Sequence, residues 1–104
     1  KHWHSAEDEL VHVLAGTGGL REGGRGFTVH PGDTAPLRAG DPVGHCLVNT
    51  GGAEARYLVI GTRAARDTIT YPDDDRVLAF DRTTGKRTWT DHAGRPAGSP
   101  YRPG

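Results

Sequence analysis

The sequence is poor in sulfur: Cys46 is the sole cysteine and methionine is absent. A single thiol excludes an intramolecular disulfide, so Cys46 is expected to be a buried structural group and the chain to reside in a reducing cytoplasm. Also missing are an apolar signal segment and any run of about 20 apolar residues able to cross a bilayer. Charge of one sign is lacking too, since 13 Lys and Arg are matched by 13 Asp and Glu for a formal net charge of +0 with His neutral. That balance removes the electrostatic attraction to phosphate backbones and anionic lipid, and no stretch gathers basic residues without interleaved acids. Neither nucleic acid nor membrane is therefore expected as a partner. Large aliphatic residues are sparse, but disorder calls for high net charge as well, so the chain reads as globular. Its 104 residues suffice for one core and one domain.

Glycine, by contrast, is abundant (16, with 7 prolines), and helix formers gather in no long window. Many short strands joined by turns follow from this, hence an all-β domain. Glu9 to Ala15 is β-branched, shorter than a helix and stopped by Gly16-Thr17-Gly18-Gly19. Leu20 to Glu22 and Gly26 to His30 form a hairpin around Gly23-Gly24. Thr34 to Leu37, Gly44 to Asn49 and Arg56 to Thr62 are further strands. Turn signals recur about every 8 to 12 residues, the spacing of a sandwich or barrel. Ala64 to Asp67 reads as a loop or single helical turn, and Tyr71 to Asp75 as a solvated acidic turn. Val77 to Phe80 and Lys86 to Thr90 pair around Thr83-Thr84-Gly85, and the residues from Asp91 to Gly104 form an extended tail.

The chemistry is concentrated at the first residues. His2 and His4, at i and i+2 of an extended strand, leave one face about 7 Å apart and can reach one ion. Strand parity would put Glu9 on the opposite face, so Ser5 to Asp8 must turn and re-aim the chain; their small and polar side chains permit that. His45, on a separate strand, would complete a set of three neutral imidazoles and one carboxylate. Such a set suits one divalent transition metal ion and, lacking thiolate, does not choose among Fe, Mn, Ni, Cu and Zn. Glu7 and Asp8 compete with Glu9 and are otherwise a solvated turn. Val11 and Val13 share the parity of Glu9, and Leu47 and Asn49 that of His45; these four are expected to line the pocket. His12 and Trp3 face away from it, towards solvent, another sheet or a second subunit. His30 and His92 are expected at the surface.

The run from His2 to Glu9 and on to Gly16, followed by the run from Gly32 through Gly40 to His45 and Asn49, resembles the two motifs of the cupin superfamily, in particular small bacterial single-domain cupins. The resemblance extends from His2 to about Thr62. It implies a double-stranded β-helix, the cupin or jelly-roll barrel, with His2, His4, Glu9 and His45 at the positions of the metal ligands. On this reading residues 1–104 are one cupin domain, with a core over about 1–62 and a C-terminal hairpin and tail over about 63–104. The strand and glycine that usually precede the first histidine do not appear, so upstream strands are expected to be missing from the chain. The exposed edge this leaves, together with the Trp3 and His12 face, favours a homodimer.

Two functions are compatible with this. One is a metal-dependent enzyme acting on a small molecule, a dioxygenase, isomerase or lyase; the other is a sensor or regulatory module that binds a small ligand without turnover. No Lys, Tyr or additional His is directed inward by parity as a second catalytic group.

Overall fold

Period-two alternation and frequent glycine turns dictate what the computed structural model, described over residues 1–101, contains: strands and turns, with no helix. Ten strands follow one another: β1 (Trp3–His4), β2 (Glu9–Ala15), β3 (Gly18–Glu22), β4 (Arg25–Val29), β5 (Thr34–Leu37), β6 (His45–Asn49), β7 (Arg56–Gly61), β8 (Arg66–Tyr71), β9 (Arg76–Asp81) and β10 (Arg87–Thr90). They form three antiparallel sheets, in the orders β1-β8-β9-β10, β5-β2-β7 and β4-β3-β6. With no helix among the described residues, none is long and apolar enough to cross a membrane.

Parity in β2 decides where the core lies. Val11 and Val13 are 4% and 2% exposed, whereas Leu10 and Leu14 on the other face are 43% and 55% exposed. The inward valines meet Leu20 of β3, Val29 of β4 and Leu37 of β5, and Ala35, Leu47 and Tyr57 pack against that cluster. Each such apolar side chain removed from water stabilises the barrel by about 1.5–3 kcal/mol. Gly40 ends the turn after β5 with φ +77, a left-handed conformation that glycine adopts without strain. Its amide donates to the carbonyl of His4 at 2.8 Å, so this turn clamps the end of β1.

Two local expectations are corrected here. Ala64 to Asp67 does not stay a loop, because Arg66 begins β8, which carries Asp67, Ile69 and Tyr71 on one face. Pairing with Asp81 and Phe80 of β9 outweighs the poor strand propensity of Arg66-Asp67. Nor is the segment after Asp91 extended. The Asp91 carboxylate accepts from the amides of Ala93 and Arg95, and the chain folds back to bridge Thr90 with Pro96. Tyr101 then lies edge-on to Tyr71 and Trp89. The remainder of the expected tail, 102–104, lies outside the described residues.

Candidate metal centre

His2 and His45 form an isolated antiparallel bridge in which each backbone amide donates to the other's carbonyl, at 3.2 and 3.0 Å. Directly opposed residues in an antiparallel pair share a face, and the two ring centroids are 5.0 Å apart. His4 follows two residues later on the same face as His2, with centroids 5.1 Å apart.

The chain then reverses as the sequence requires. Ser5 N donates to Thr68 O at 2.9 Å, Ala6 N to Asp67 Oδ1 at 2.9 Å and Asp8 N to Thr62 Oγ1 at 3.0 Å, while Asp8 Oδ1 accepts from Ala39 N at 2.7 Å. Glu9 thus enters β2 on the face of Val11 and Val13, and its Oε1 meets His4 Nε2 at 2.5 Å. Donor atoms of His2, His4 and Glu9 all lie within 4.8 Å of one another. His45 stands outside that tightest group, but its Nε2 is buried and has no hydrogen-bond partner among the described residues. An orphaned imidazole nitrogen is costly unless something completes it, and with two further imidazoles and a carboxylate beside it the donor set fits a divalent transition metal.

Asp67 was not foreseen as part of this site. Only 5% exposed, it places Oδ2 at 2.5 Å from His4 Nδ1. A carboxylate on Nδ1 fixes the tautomer and turns Nε2 towards an ion, the usual arrangement behind a ligating histidine. The available signal was alternation in Arg66 to Tyr71, which puts an aspartate in line with Ile69 and Tyr71.

The electrostatics separate the three imidazoles. Burial, reinforced by the His45 and His4 rings, lowers His2 to about 4, and burial likewise lowers His45. Burial also opposes the charged form of His4, but its hydrogen bonds to Glu9 and Asp67 prevail and raise it to about 9. Glu9 is held below its ordinary value, chiefly by the bond to His4. Burial would raise Asp67, yet bonds from His4 and the Ala6 amide hold it low. At pH 7, His2 and His45 are neutral, and His4 carries a proton that Glu9 and Asp67 hold between them.

The site opens on a cavity of about 640 Å³ lined by His2, His4, Glu7, Glu9, Val59, Ile60, Gly61, Arg63, Ile69 and Tyr71. None of the four expected pocket residues lines it. Val11 and Val13 lie deeper, in the core, and Leu47 packs against them. Asn49 is exposed; its amide group donates to Ala53 O and accepts from Gly51 N, capping the turn after β6. Glu7 is not the solvated residue expected: it is 8% exposed, accepts from Arg63 N at 3.1 Å and pairs with Arg82 at 2.9 Å. Gly61 makes room for it, since a Cβ there would collide with the Glu7 carboxylate. Tyr71 faces inward 5.7 Å from His2, with burial pushing its hydroxyl up to about 12, so the cavity does contain a tyrosine. Asp8 is exposed and Cys46 is half-buried rather than buried. Trp3 and His12 are half-buried, His12 with its Nδ1 at 2.8 Å from Thr34 Oγ1, and His30 and His92 lie at the surface.

An all-β barrel with histidines and a glutamate gathered at one end defines a class, and residues 1–61 match the cupin domain family. The chain belongs to that family. It is similar to a cupin-superfamily sugar phosphate isomerase from Silicibacter pomeroyi, at 35% identity and TM-score 0.85, over 95% of this chain and 62% of that one. It is also similar to a proposed sugar phosphate isomerase from Acidithiobacillus ferrooxidans, at 28% identity and TM-score 0.81, over 94% of this chain and 61% of that one. This chain therefore spans less than two thirds of either structure's length. No protein of curated function matches the sequence.

Proposed function

We propose that this domain binds one divalent transition metal ion through His2, His4, Glu9 and His45 and acts on a small sugar phosphate as an isomerase. The observation that carries the metal reading is the buried, unpartnered Nε2 of His45 beside the His2, His4 and Glu9 group. The isomerase reading is supported by what the two similar structures are called. A bound ion would polarise a substrate carbonyl or hydroxyl as a Lewis acid. Glu7, held on one oxygen by the Arg63 amide and on the other by the Arg82 guanidinium, shapes the cavity as a paired carboxylate and is not needed as a ligand. Tyr71 stands 5.7 Å from His2, ring to ring, and closes one side of the cavity.

The test is aldose–ketose interconversion of pentose and hexose phosphates by protein of measured metal content. Interconversion that depends on the ion and is lost in His45→Ala supports the reading. Stoichiometric metal without turnover of any sugar phosphate would leave a non-enzymatic ligand-binding module in its place. We further propose a homodimer formed through the outer face of β2 and β7, where Leu10 pairs with Ile60 and His12 with Leu58. Leu10, Leu14, Leu58 and Ile60 there are between 43% and 55% exposed, a contiguous apolar row of the kind that marks an interface.

A further inference from the structure

We propose that Arg63 is the anion-recognition residue of the cavity and binds the phosphate of a phosphorylated sugar whose other end reaches the ion site. The sugar part of this inference rests on the isomerase reading; the anionic part rests on Arg63 itself. Among the described residues lining the cavity, Arg63 is the sole lysine or arginine. Its neighbour in space, Arg82, is engaged by Glu7 and by the Ala64 carbonyl. Arg63 forms no ion pair with a carboxylate among the described residues, so its guanidinium is available.

The backbone that carries it is held firmly. Arg63 N donates to Glu7 Oε1, Thr62 N donates to Asp8 O at 3.0 Å, and Thr62 Oγ1 accepts from Asp8 N. These bonds fasten Arg63 to the very loop, Ser5 to Asp8, that connects His4 to Glu9. Arg63 also has φ 55, a left-handed conformation uncommon outside glycine, which the bonds from Glu7 and Asp8 on either side hold in place. The other lining side chains suit the rest of such a ligand. Val59 and Ile69 form an apolar wall, while Glu7 and Glu9 are compensated by Arg82 and His4 and so do not repel an anion as free carboxylates would. A planar guanidinium offers paired donors to two oxygens of a phosphate, and Arg63 is exposed, at the mouth, where a phosphate keeps part of its hydration.

The experiment is calorimetric titration of manganese-loaded wild type, Arg63→Gln, Arg63→Gly and Arg63→Lys with ribose 5-phosphate, ribose, gluconate and inorganic phosphate. Wild type is expected to bind ribose 5-phosphate at least about tenfold more tightly than ribose, a difference of about 1.4 kcal/mol. Arg63→Gln and Arg63→Gly lose that preference with unchanged metal content, and Arg63→Lys keeps part of it. Glycine adopts φ 55 freely, so Arg63→Gly removes the charge without adding strain. A preference undiminished in Arg63→Gln and Arg63→Gly, no preference in wild type, or gluconate bound as tightly as ribose 5-phosphate overturns the proposal. Because the readout is binding, failure of the isomerase reading is seen separately. An Arg63-dependent phosphate preference without interconversion removes only the latter, and interconversion with an Arg63-independent preference removes only the former.

Discussion

His2 and His45 stand face to face across an isolated two-hydrogen-bond bridge that joins the residue before β1 to the first residue of β6, rings 5.0 Å apart, although 43 positions separate them in the chain. The bridge brings the start of the chain against the second motif, and the metal reading depends on it. His45→Ala should lower metal affinity by at least about tenfold, or about 1.4 kcal/mol, with the fold retained. Inductively coupled plasma analysis of His4→Ala/His45→Ala protein that still holds one equivalent would refute the site.

Among the three carboxylates of the first turn, Glu9→Gln should weaken metal binding by one to two orders of magnitude, about 1.4–2.8 kcal/mol. Asp8→Asn, at an exposed group, should change it by less than about threefold. Glu7→Gln disrupts a buried pair with Arg82 and should instead reduce folding stability by about 1–3 kcal/mol. Metal titrations beside urea denaturation separate the two effects, and loss of metal in Asp8→Asn with retention in Glu9→Gln would reassign the ligand.

On the proposed ligand set, Asp67 would act on an ion through His4, whose Nδ1 it holds. Asp67→Asn should lower metal affinity by about 10–100-fold, as loss of a carboxylate behind a ligating histidine does. In the metal-free protein it should also bring the His4 value down from about 9. A His4 titration curve unchanged in Asp67→Asn, followed by NMR of the ring protons, would show that the contact does not orient the imidazole.

For pH, the signs differ between neighbouring rings. His4 titrates at about 9 in the folded state against an ordinary 6.5, so its contribution to metal-free stability is complete below about 6.5 and disappears as pH rises through 9. His2 titrates at about 4, so its contribution is complete above about 6.5 and disappears as pH falls through 4. Metal binding at pH 7.5 must therefore displace about one proton, that of His4, since ligating imidazoles are neutral. Calorimetry in buffers of different ionisation enthalpy measures this number directly, and a value near zero would contradict the His4 assignment.

If the outer face of β2 and β7 joins two copies, Leu58→Asp combined with Ile60→Asp should convert a dimer into a monomer while leaving metal content unchanged. Light scattering that finds wild type monomeric at millimolar concentration would remove the interface.

How far the sequence alone reaches follows from the range of each interaction. β2 and β5 were readable to the residue because alternation and bounding turns are local properties of seven and four residues. The same short-range logic placed His2 and His4 on one face, required a reversal before Glu9, and put Val11 and Val13 inside. His45 was joined to them by its chemistry, as a third imidazole on a separate strand, and by resemblance to a two-motif pattern.

What lay beyond reach depends on which strands meet. Asp67 matters because β8 pairs with β1, bringing together residues 63 positions apart, and an aspartate after an arginine carries no local mark of burial. Glu7 turned inward because Arg82 and the Arg63 amide compensate it and Gly61 leaves it space. Asn49 went the other way: its side chain found partners within the following turn, and a polar group satisfied locally at a strand end has nothing to gain from the interior. Periodicity assigns a face to each side chain, but what that face meets is settled by the closing of the barrel.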